Sequence, residues 1–481
     1  MKFGTSGVRG LVSELEGRAS ARYTTAFARH LLETGAARAG DTVLVGRDFR
    51  ASSPGIAATC IGALRRAGLS PADCGTVPTP ALALYGLKLD AASLMVTGSH
   101  IPADRNGIKF YRPDGEIDKQ DEARITAIAA DMDKGEIDVT SGEAPDRSAE
   151  AEALFAARYA GLLPKGALAG LKVGVYQHST VARDLLVQVL EAYGAGVVPL
   201  GRSEQFIPVD TEAVSGETID LLKGWTKEHG LAAIVSADGD GDRPLVSDEA
   251  GEPLRGDLLG LIAAQFLQAK VAVTPVTSNS GLEKAGGFSV LRTRVGSPFV
   301  IAGMLDALQA GKTGVMGFEA NGGLLTASPF TVNGKVLEPL PTRDSFLPVL
   351  AALSLAAREK RPLSKIAAGF RLPFAAADRL ENIPVEASAA LMAHLRRSDD
   401  NLAAFLAPIA PVSSKSDIDG LRVTLTDGRI VHLRPSGNAP EMRCYVEAQT
   451  EAAARDLLSL GLRLINAWLT DRTPPAERAG A

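Results

Sequence analysis

The stretch Leu94-Met95-Val96-Thr97-Gly98-Ser99-His100 passes directly from three apolar residues into a short polar loop. An apolar run that ends at a glycine-containing loop is typical of a buried strand. The same transition recurs near residues 46, 236 and 317. Because open α/β sheets bind ligands outside the carboxyl ends of their strands, we expect these polar loops to carry the chemistry of the protein.

Helical patterns alternate with the short apolar runs along most of the chain. The predicted strands are 42–45, 94–96, 172–176, 197–198, 232–235, 271–273, 289–291 and 314–316. The predicted helices are 56–67, 181–193, 219–229, 258–268 and 299–310. This alternation predicts α/β domains with mixed, mainly parallel sheets that carry helices on both faces.

The C-terminal part of the sequence has a different pattern. Two alternating runs, 420–425 and 429–433, flank the dipeptide Asp427-Gly428, which is typical of a hairpin turn. A helix is predicted at 451–468. We therefore expect three similar α/β domains followed by a smaller α+β domain.

The length of the chain also indicates several domains. Its 481 residues exceed the ~250–300 at which a single hydrophobic core stops growing. Polar stretches mark three boundaries. The predicted domains are 1–147, 148–253, 254–366 and 367–475.

Composition and charge exclude several classes of function. The net charge is −5 and the basic residues are spread along the chain, which disfavours a nucleic-acid interface or a basic membrane patch. The three cysteines include no CxxC pair, as in a reduced cytoplasmic protein. The sequence shows neither the apolar core of a signal peptide nor a run that would span a bilayer. We expect a cytoplasmic monomer or dimer without nucleic-acid or membrane partners.

The aspartate loop, residues 236–243, is the most specific chemical signal. Asp238, Asp240 and Asp242 alternate with glycines directly after an apolar run. Three carboxylates this close repel one another, and a hard cation such as Mg²⁺ or Ca²⁺ resolves that repulsion. An EF-hand is disfavoured because Arg243 and Pro244 replace the residues its loop requires and a strand precedes it. A solvated acidic turn is the simpler alternative.

The other three loops are weaker signals when each is taken alone. The serine loop, residues 97–102, places Ser99 and His100 after a strand, but serine is also a common turn residue. The glutamate loop, residues 317–323, offers Glu319 and Asn321 to the hydroxyls of a sugar, or forms a surface turn. The arginine loop, residues 434–443, has the composition of a phosphate site, or of a plain hairpin connection.

Taken together and in this order, the four loops resemble those of the α-D-phosphohexomutase family, the phosphomannomutases and phosphoglucomutases. Three further segments share the resemblance, namely Phe3-Gly4-Thr5-Ser6-Gly7-Val8-Arg9-Gly10, Gly46-Arg47-Asp48-Phe49-Arg50 and Asn106-Gly107-Ile108-Lys109-Phe110. The resemblance covers the chain from Phe3 to about Glu447. It implies four domains around a central cleft.

The resemblance also implies roles for individual residues. The implied ligands of Mg²⁺ are Ser99, Asp238, Asp240 and Asp242. The implied catalytic residues are Ser99 as a phosphoserine, Lys109 and His100 in proton transfer, and Arg9. The implied substrate-binding residues are Arg243, Glu319, Asn321, Arg434, Ser436, Gly437, Asn438 and Arg443, with Arg47 as a further active-site arginine.

The sequence departs from the usual pattern of that family at three points. Ile101 replaces an asparagine that often follows the histidine, and Asn438-Ala439 replaces a usual Thr-Glu pair. Asn438 still offers a donor to phosphate. Asn321 replaces a frequent serine in the glutamate loop, which leaves the sugar specificity open.

The resemblance implies a reversible transfer of a phosphoryl group between O1 and O6 of a hexose phosphate. The expected pair is mannose 6-phosphate and mannose 1-phosphate, with glucose phosphates as further substrates and a hexose 1,6-bisphosphate as intermediate and activator. A phosphoglucosamine mutase is the rival within the family, although its usual opening has Asp where Ser6 stands. The sequence also leaves open a silent sugar-phosphate-binding protein, or a phosphatase or kinase with an aspartyl nucleophile.

Overall fold

A computed structural model describes residues 2–3, 7–132, 137–436 and 440–472. The chain forms two compact units. The first comprises Met1–Thr274, Gly286–Leu291 and Gly296–Gly369, and the second comprises Pro275–Ala285, Arg292–Val295 and Phe370–Ala481. Within the described ranges, no helix is both long enough and apolar enough to cross a membrane.

The first group of elements builds a seven-stranded mixed sheet. Its strands are β1 Lys2–Phe3, β2 Gly7–Leu11, β3 Thr42–Arg47, β4 Ser70–Thr76, β5 Ala92–Val96, β6 Arg105–Arg112 and β7 Gly115–Glu116. Its helices are α1 Val12–Leu15, α2 Arg18–Thr34, α3 Ser53–Arg66, α4 Thr79–Leu89 and α5 Lys119–Asp131. The order is β1-β2-β6-β5-β3-β4, with β7 beside β6. The central strand β5 is buried along its whole length, as its continuous apolar run predicts.

The second group builds a four-stranded sheet in the order β11-β10-β8-β9. Its strands are β8 Lys172–Tyr176, β9 Gly196–Leu200, β10 Ala233–Ala237 and β11 Pro244–Ser247. Its helices are α6 Ser148–Tyr159, α7 Arg183–Ala192 and α8 Gly216–His229. The neighbours β10, β8 and β9 are parallel, whereas β11 is antiparallel to β10.

The third group builds a five-stranded sheet in the order β13-β12-β14-β15-β18 and a separate hairpin of β16 and β17. Its strands are β12 Val271–Pro275, β13 Ser289–Thr293, β14 Val315–Phe318, β15 Leu324–Thr326, β16 Phe330–Val332, β17 Lys335–Leu337 and β18 Leu340–Asp344. Its helices are α9 Gly256–Phe266, α10 Leu282–Ala285, α11 Ser297–Gln309, α12 Phe346–Glu359 and α13 Leu363–Gly369.

The last group forms an antiparallel sheet in the order β19-β23-β22-β21-β20. Its strands are β19 Phe374–Leu380, β20 Val412–Ser416, β21 Leu421–Leu425, β22 Ile430–Pro435 and β23 Met442–Ala448. Its helices are α14 Val385–Arg397, α15 Asp399–Leu406 and α16 Glu451–Arg472. The predicted hairpin around Asp427-Gly428 and the helix that follows it are confirmed. The predicted class, three mixed α/β sheets and a smaller C-terminal α+β part, is also confirmed.

Antiparallel pairs are more frequent than the alternation of strands and helices indicates. In the first sheet only β3 with β4 and β3 with β5 are parallel, whereas β6 is antiparallel to β2, β5 and β7. The serine loop joins β5 to β6, the aspartate loop joins β10 to β11, and the glutamate loop joins β14 to β15. A parallel crossover needs about a dozen residues or more. These loops are shorter, so each reverses the chain into an antiparallel neighbour.

Candidate active site

The serine loop leaves β5 in an unusual backbone conformation. Ser99 has φ 55°, in the left-handed region that residues other than glycine seldom adopt. Its N–H donates to Thr97 Oγ1 at 2.8 Å, and the N–H of Thr97 donates to the carbonyl of Gly107 on β6 at 2.9 Å. The Ser99 side chain is buried. A hydroxyl held in this way at a strand end indicates a functional role, since such strain is found at active sites.

The aspartate loop brings its three carboxylates together. Oxygens of Asp238, Asp240 and Asp242 lie within 4.8 Å of one another, and all three residues are fully buried. Asp238 Oδ1 accepts the N–H groups of Asp242 and Arg243, both at 3.1 Å, which closes the loop on itself. The solvated acidic turn considered as an alternative does not fit this burial.

Within the described part of the chain, hydrogen-bond donors contact only the Oδ2 atom of Asp240 and of Asp242. Asp240 Oδ2 accepts from Lys109 Nζ at 2.5 Å and from Thr79 Oγ1 at 2.6 Å. Asp242 Oδ2 accepts from Lys109 Nζ at 2.7 Å and from Arg343 Nε at 3.0 Å. Among the residues that the structure describes, none forms a hydrogen bond with the buried Oδ1 atom of either aspartate, and Arg243 Nε lies 3.7 Å from Asp242 Oδ1. A buried carboxylate oxygen without a hydrogen bond is costly, so two such atoms in one cluster fit a bound hard cation.

The electrostatics of the cluster lead to the same conclusion. Burial, with Asp240 and Asp242 nearby, raises the pKa of Asp238 well above its usual range. Burial also acts to raise the pKa of Asp242, but Arg343 and Lys109 outweigh it and the pKa is lowered. Burial and Asp242 act to raise the pKa of Asp240, yet Lys109 lowers it. Lys109 and the arginines therefore favour the charged forms of Asp240 and Asp242 but leave the pKa of Asp238 raised, and a bound cation would favour the charged form of Asp238 as well.

The structure brings Ser99 into contact with this cluster. Ser99 Oγ donates to Asp238 Oδ2 at 2.5 Å, across 139 residues of sequence. His100 Nδ1 lies 2.9 Å from Arg243 Nη1 and 3.3 Å from Ser99 Oγ. Because a guanidinium only donates, His100 Nδ1 must be the acceptor, which places the ring proton on Nε2. Burial and then Arg243 lower the pKa of His100 to about 3, so the ring is neutral at neutral pH.

Arg9 and Arg47 were also predicted to lie in the active site. Of these two, the structure brings only Arg9 to the aspartate cluster. Burial and then Arg243 lower the pKa of Arg9 to about 10, and Asp240 acts in the opposite direction. Arg47 instead donates from Nη1 to both carboxylate oxygens of Asp73, at 2.8 and 3.0 Å. Its predicted place in the active site therefore stays a prediction without a contact to support it.

The glutamate loop is tied to the aspartate loop by Arg343 on β18. Arg343 Nη1 donates to Glu319 Oε2 at 3.0 Å, and its Nε and Nη2 donate to Asp242 Oδ2 at 3.0 and 2.9 Å. Asn321 closes its own turn, since its Oδ1 accepts from the N–H of Gly323 at 2.9 Å. Glu319, Asn321 and Arg343 are all buried. One guanidinium thus fixes the side chains of both loops.

We expect Arg343→Met to destabilise the first unit strongly. The substitution removes the guanidinium shared by Glu319 and Asp242, and breaking a buried ion pair costs about 3–5 kcal/mol. Thermal denaturation followed by circular dichroism measures the effect. Arg124→Met is the matched control, because Arg124 and Glu33 form an exposed ion pair worth about 0–1 kcal/mol. Equal small shifts for both variants would show that Arg343 does not hold the two loops together.

The arginine loop belongs to the second unit. Arg434 on β22 lies directly opposite Arg443 on β23, and the N–H of Ser436 donates to the carbonyl of Glu441 at 2.9 Å. Arg443 Nη2 donates to Glu441 Oε2 at 3.2 Å, and Arg434 Nε lies 2.9 Å from Asp419 Oδ1. The predicted residues Gly437 and Asn438 lie outside the described residues.

Sequence reasoning missed three residues of these sites, namely Thr79, Arg343 and Arg379. Arg379 on β19 is the register partner of Arg443, so three arginines lie in one row across three strands. Thr79 and Arg343 meet their aspartates over 161 and 101 residues of sequence. No local pattern marks such positions, because only the fold brings them to the loops.

Sequence models of phosphoglucomutase/phosphomannomutase match four consecutive segments of the chain. The alpha/beta/alpha domain I matches residues 1–136, domain II residues 160–251, domain III residues 255–372 and the C-terminal domain residues 380–459. All four loops described above lie within these matches.

Curated phosphomannomutases and phosphoglucosamine mutases match along most of the chain. A phosphomannomutase of Sinorhizobium fredii is 58% identical over 467 residues, 97% of this chain and 98% of that protein. A phosphomannomutase of Salmonella muenchen is 38% identical over 98% of this chain and 96% of that protein. A phosphoglucosamine mutase of Symbiobacterium thermophilum is 31% identical over 83% of this chain and 89% of that protein.

Solved structures show the same fold at low sequence identity. A putative phosphomannomutase from Thermus thermophilus has a TM-score of 0.75 at 24% identity, covering 97% of this chain and 99% of that one. A phosphoglucomutase/phosphomannomutase family protein from Burkholderia thailandensis has a TM-score of 0.75 at 22% identity, covering 99% of this chain and 97% of that one.

With four matching domains and a relative 58% identical over nearly its full length, the chain belongs to the phosphoglucomutase/phosphomannomutase family. It is an isomerase that transfers a phosphoryl group within a sugar phosphate.

Proposed function

We propose that the chain interconverts mannose 6-phosphate and mannose 1-phosphate, accepts glucose phosphates as well, and uses Ser99 as the phosphoryl carrier. The observation that carries the proposal is the contact of Ser99 Oγ with Asp238 in a buried cluster of three aspartates. The choice of mannose is supported by the 58% and 38% identical relatives, both phosphomannomutases. The phosphoglucosamine mutase of Symbiobacterium is more distant at 31%.

The cluster fits Mg²⁺, for which Asp238, Asp240, Asp242 and Ser99 are the proposed ligands. Ligand atoms that are all oxygens suit a hard cation, and the Oδ1 atoms of Asp240 and Asp242 receive no hydrogen bond from the described residues. When bound, Mg²⁺ supplies positive charge that stabilises the phosphoryl group during transfer. Lys109 pairs with the Oδ2 atoms of Asp240 and Asp242, and Arg9 and Arg243 interact electrostatically with the cluster, so fixed positive charge is already in place and little reorganisation is needed during the reaction.

The proposed reaction consists of two transfers of opposite direction. A free hydroxyl oxygen of the substrate attacks the phosphorus on Ser99 Oγ, and the bond from Oγ to phosphorus breaks. The product is a hexose 1,6-bisphosphate, which reorients within the protein. Its other phosphoryl group then returns to Ser99, which restores the phosphoserine and releases the isomeric monophosphate. A hexose 1,6-bisphosphate from solution serves as the activator that first loads Ser99.

Two residues are proposed for the proton of the attacking hydroxyl. Lys109 Nζ donates to Asp240 and Asp242, so it must first lose a proton before it can accept the proton of the hydroxyl. His100 is neutral and presents its Nδ1 to Arg243. Lys109 lies nearer to the aspartate cluster and stays the first candidate, with His100 as the second.

The remaining loops are proposed to hold the substrate. Glu319 and Asn321 are assigned to the sugar hydroxyls. Arg434, Ser436 and Arg443 are assigned to the phosphate that does not react, since paired guanidinium groups suit phosphate oxygens. Because either phosphate must occupy that site in turn, the site must recognise phosphate rather than one face of the sugar.

A panel of three substrates tests the proposed specificity. Mannose 1-phosphate, glucose 1-phosphate and glucosamine 1-phosphate are each supplied with the matching 1,6-bisphosphate and Mg²⁺, and kcat/KM is measured for each. We expect mannose 1-phosphate to give the highest value, glucose 1-phosphate a measurable one, and glucosamine 1-phosphate the lowest. Turnover of glucosamine 1-phosphate alone would contradict the proposal and favour a phosphoglucosamine mutase.

A further inference from the structure

Arg50 donates hydrogen bonds to the backbone around Ser99 and not to the groups proposed to take part in phosphoryl transfer. Its Nη1 donates to the carbonyls of Pro102 and Arg105 at 2.7 and 2.8 Å. Its Nη2 donates to the carbonyls of Ile101 and Ser99 at 2.6 and 3.1 Å. One buried guanidinium therefore binds four carbonyl oxygens of the segment that carries Ser99.

Asp48 connects the same arginine to the start of the serine loop. Asp48 Oδ2 accepts from Arg50 Nε at 3.2 Å and from Thr97 Oγ1 at 2.7 Å. Thr97 Oγ1 in turn accepts the N–H of Ser99 at 2.8 Å. Asp48 and Arg50 thus hold the backbone on both sides of Ser99, which explains how its left-handed conformation is maintained.

Two cation–π contacts connect Arg50 and its neighbour Phe49 to another part of the chain. The Arg50 guanidinium lies over the ring of Phe206, with Cζ 3.9 Å from the ring centroid. Its neighbour Phe49 receives the guanidinium of Arg183 at 4.2 Å. Phe206 and Arg183 come from the part of the chain that also carries the aspartate loop. The pairs therefore connect the segment before α3 with the start of α7 and with the loop after β9.

Two glycines leave room for this arrangement. A Cβ on Gly98 would lie 2.7 Å from Arg50 Cζ, and a Cβ on Gly239 would lie 2.8 Å from the carbonyl oxygen of Ser99 and 2.9 Å from the ring of Phe206. The guanidinium, the serine loop, the aromatic ring and the aspartate loop are thus packed against one another without space for a side chain at either glycine.

We propose that Arg50, stacked on Phe206, is a positioning residue that directs the Ser99 hydroxyl toward the aspartate loop. The inference rests on the proposed role of Ser99 as phosphoryl carrier. It differs from the family resemblance in the Gly46-Arg47-Asp48-Phe49-Arg50 segment, which implied an active-site role for Arg47. Arg50 donates to backbone carbonyls and to Asp48 rather than to the three aspartates, so its effect must pass through the backbone of the serine loop.

A positioning role and a purely structural role give different results. If Arg50 only stabilised the fold, its loss would lower thermal stability and leave the remaining folded protein fully active. If Arg50 positions Ser99, a small displacement of the hydroxyl costs up to about 100-fold in the rate of transfer, because reacting atoms must stay in line. KM and the dependence on Mg²⁺ should then change little.

The test compares Arg50→Lys with Arg66→Lys in the full chain. Arg66 is an exposed arginine on α3 that also donates to carbonyls, those of Asp138 and Thr140, both at 2.7 Å. Dephosphorylated protein is mixed with mannose 1,6-bisphosphate and Mg²⁺, and the uptake of phosphate is followed by intact mass. Thermal stability, KM and the Mg²⁺ concentration for half-maximal activity are measured in parallel.

We expect Arg50→Lys to slow phosphate uptake and kcat by about 100-fold, with KM and the Mg²⁺ dependence close to those of Arg66→Lys. Phe206→Leu should give a smaller loss in the same direction. The double variant should lose less than the product of the two single losses, since residues in contact are not additive. If Arg50→Lys folds poorly, Phe206→Leu alone still tests the inference.

Phosphate uptake by both single variants within about twofold of the control would overturn the inference while leaving the role of Ser99 intact. A loss fully explained by less folded protein, with normal kcat per folded chain, would overturn it as well. Failure of the unsubstituted protein to take up phosphate would instead overturn the proposed function, and the inference with it.

Discussion

Ser99→Ala is expected to reduce turnover of mannose 1-phosphate by at least about 10⁴-fold. Removal of a nucleophile costs this much or more in enzymes that form a covalent intermediate. Alanine keeps the Cβ of the serine and removes only the oxygen that bonds Asp238, so the loop should keep its form. A coupled assay with saturating hexose 1,6-bisphosphate and Mg²⁺ measures the loss, and intact mass shows whether any phosphate is still bound.

Ser354→Ala is the control for this substitution. Ser354 lies on α12, and its hydroxyl donates to the carbonyl of Ala351 within the same helix. Its loss should leave turnover unchanged. Turnover of Ser99→Ala close to that of the control would contradict the proposed carrier and favour an aspartyl nucleophile in the aspartate loop.

The loops of the site could be predicted from sequence because their chemistry is local. Ser99, the three aspartates and Glu319 follow apolar runs that the periodicity marks as strands, and the structure places them at strand ends. The direction of the next strand was less predictable. Strand–helix alternation indicates parallel crossovers, whereas the length of each loop decides in favour of an antiparallel neighbour.

The residues that connect the loops could not be predicted in the same way. Arg343 lies in the short strand β18, where nothing in the local pattern distinguishes it from a surface arginine. Its partners become evident only when β18 pairs with β15 and brings the guanidinium to Asp242 and Glu319. Arg50 was visible within a recognisable motif, but its role depends on carbonyls of the serine loop, and backbone contacts leave no signature in composition or spacing.

The same reasoning explains why the preferred sugar follows least directly from the sequence. Asn321 departs from the usual residue of the family, but its Oδ1 closes the turn of its own loop. The identity of this residue therefore reflects backbone geometry as well as any contact with a sugar. Glu319 is held by Arg343, so its direction also depends on a residue outside the motif.

Asp240→Asn is expected to raise the Mg²⁺ concentration for half-maximal activity by about 100-fold or more. Changes just outside a metal's ligands already cost about 10–100-fold, and Asp240 is a proposed ligand. Asparagine has the same size but carries one oxygen and one NH₂. If the oxygen faces the cation, the NH₂ faces the ammonium of Lys109, and if it is reversed, the cation meets a donor. Neither orientation satisfies both sides.

Metal binding provides a second readout that does not depend on turnover. At about 100 times its dissociation constant a bound ion stabilises the folded state by about 2.7 kcal/mol, so Mg²⁺ should raise the melting temperature of the unsubstituted protein. The same addition should have almost no effect on Asp240→Asn. Asp248→Asn is the control, because Asp248 is a buried aspartate directly after β11 whose Oδ1 accepts backbone N–H groups, a role that asparagine retains.

Unchanged Mg²⁺ dependence in Asp240→Asn would mean that the Oδ1 atoms of Asp240 and Asp242 are not balanced by Mg²⁺. Arg9 and Arg243 already act on the pKa values of this cluster, Arg243 by lowering that of Asp242. The positive charge that balances the three carboxylates would then come from these arginines rather than from a metal ion. In that case Mg²⁺ should also fail to raise the melting temperature of the unsubstituted protein, so the two readouts together decide between a metal ion and the arginines.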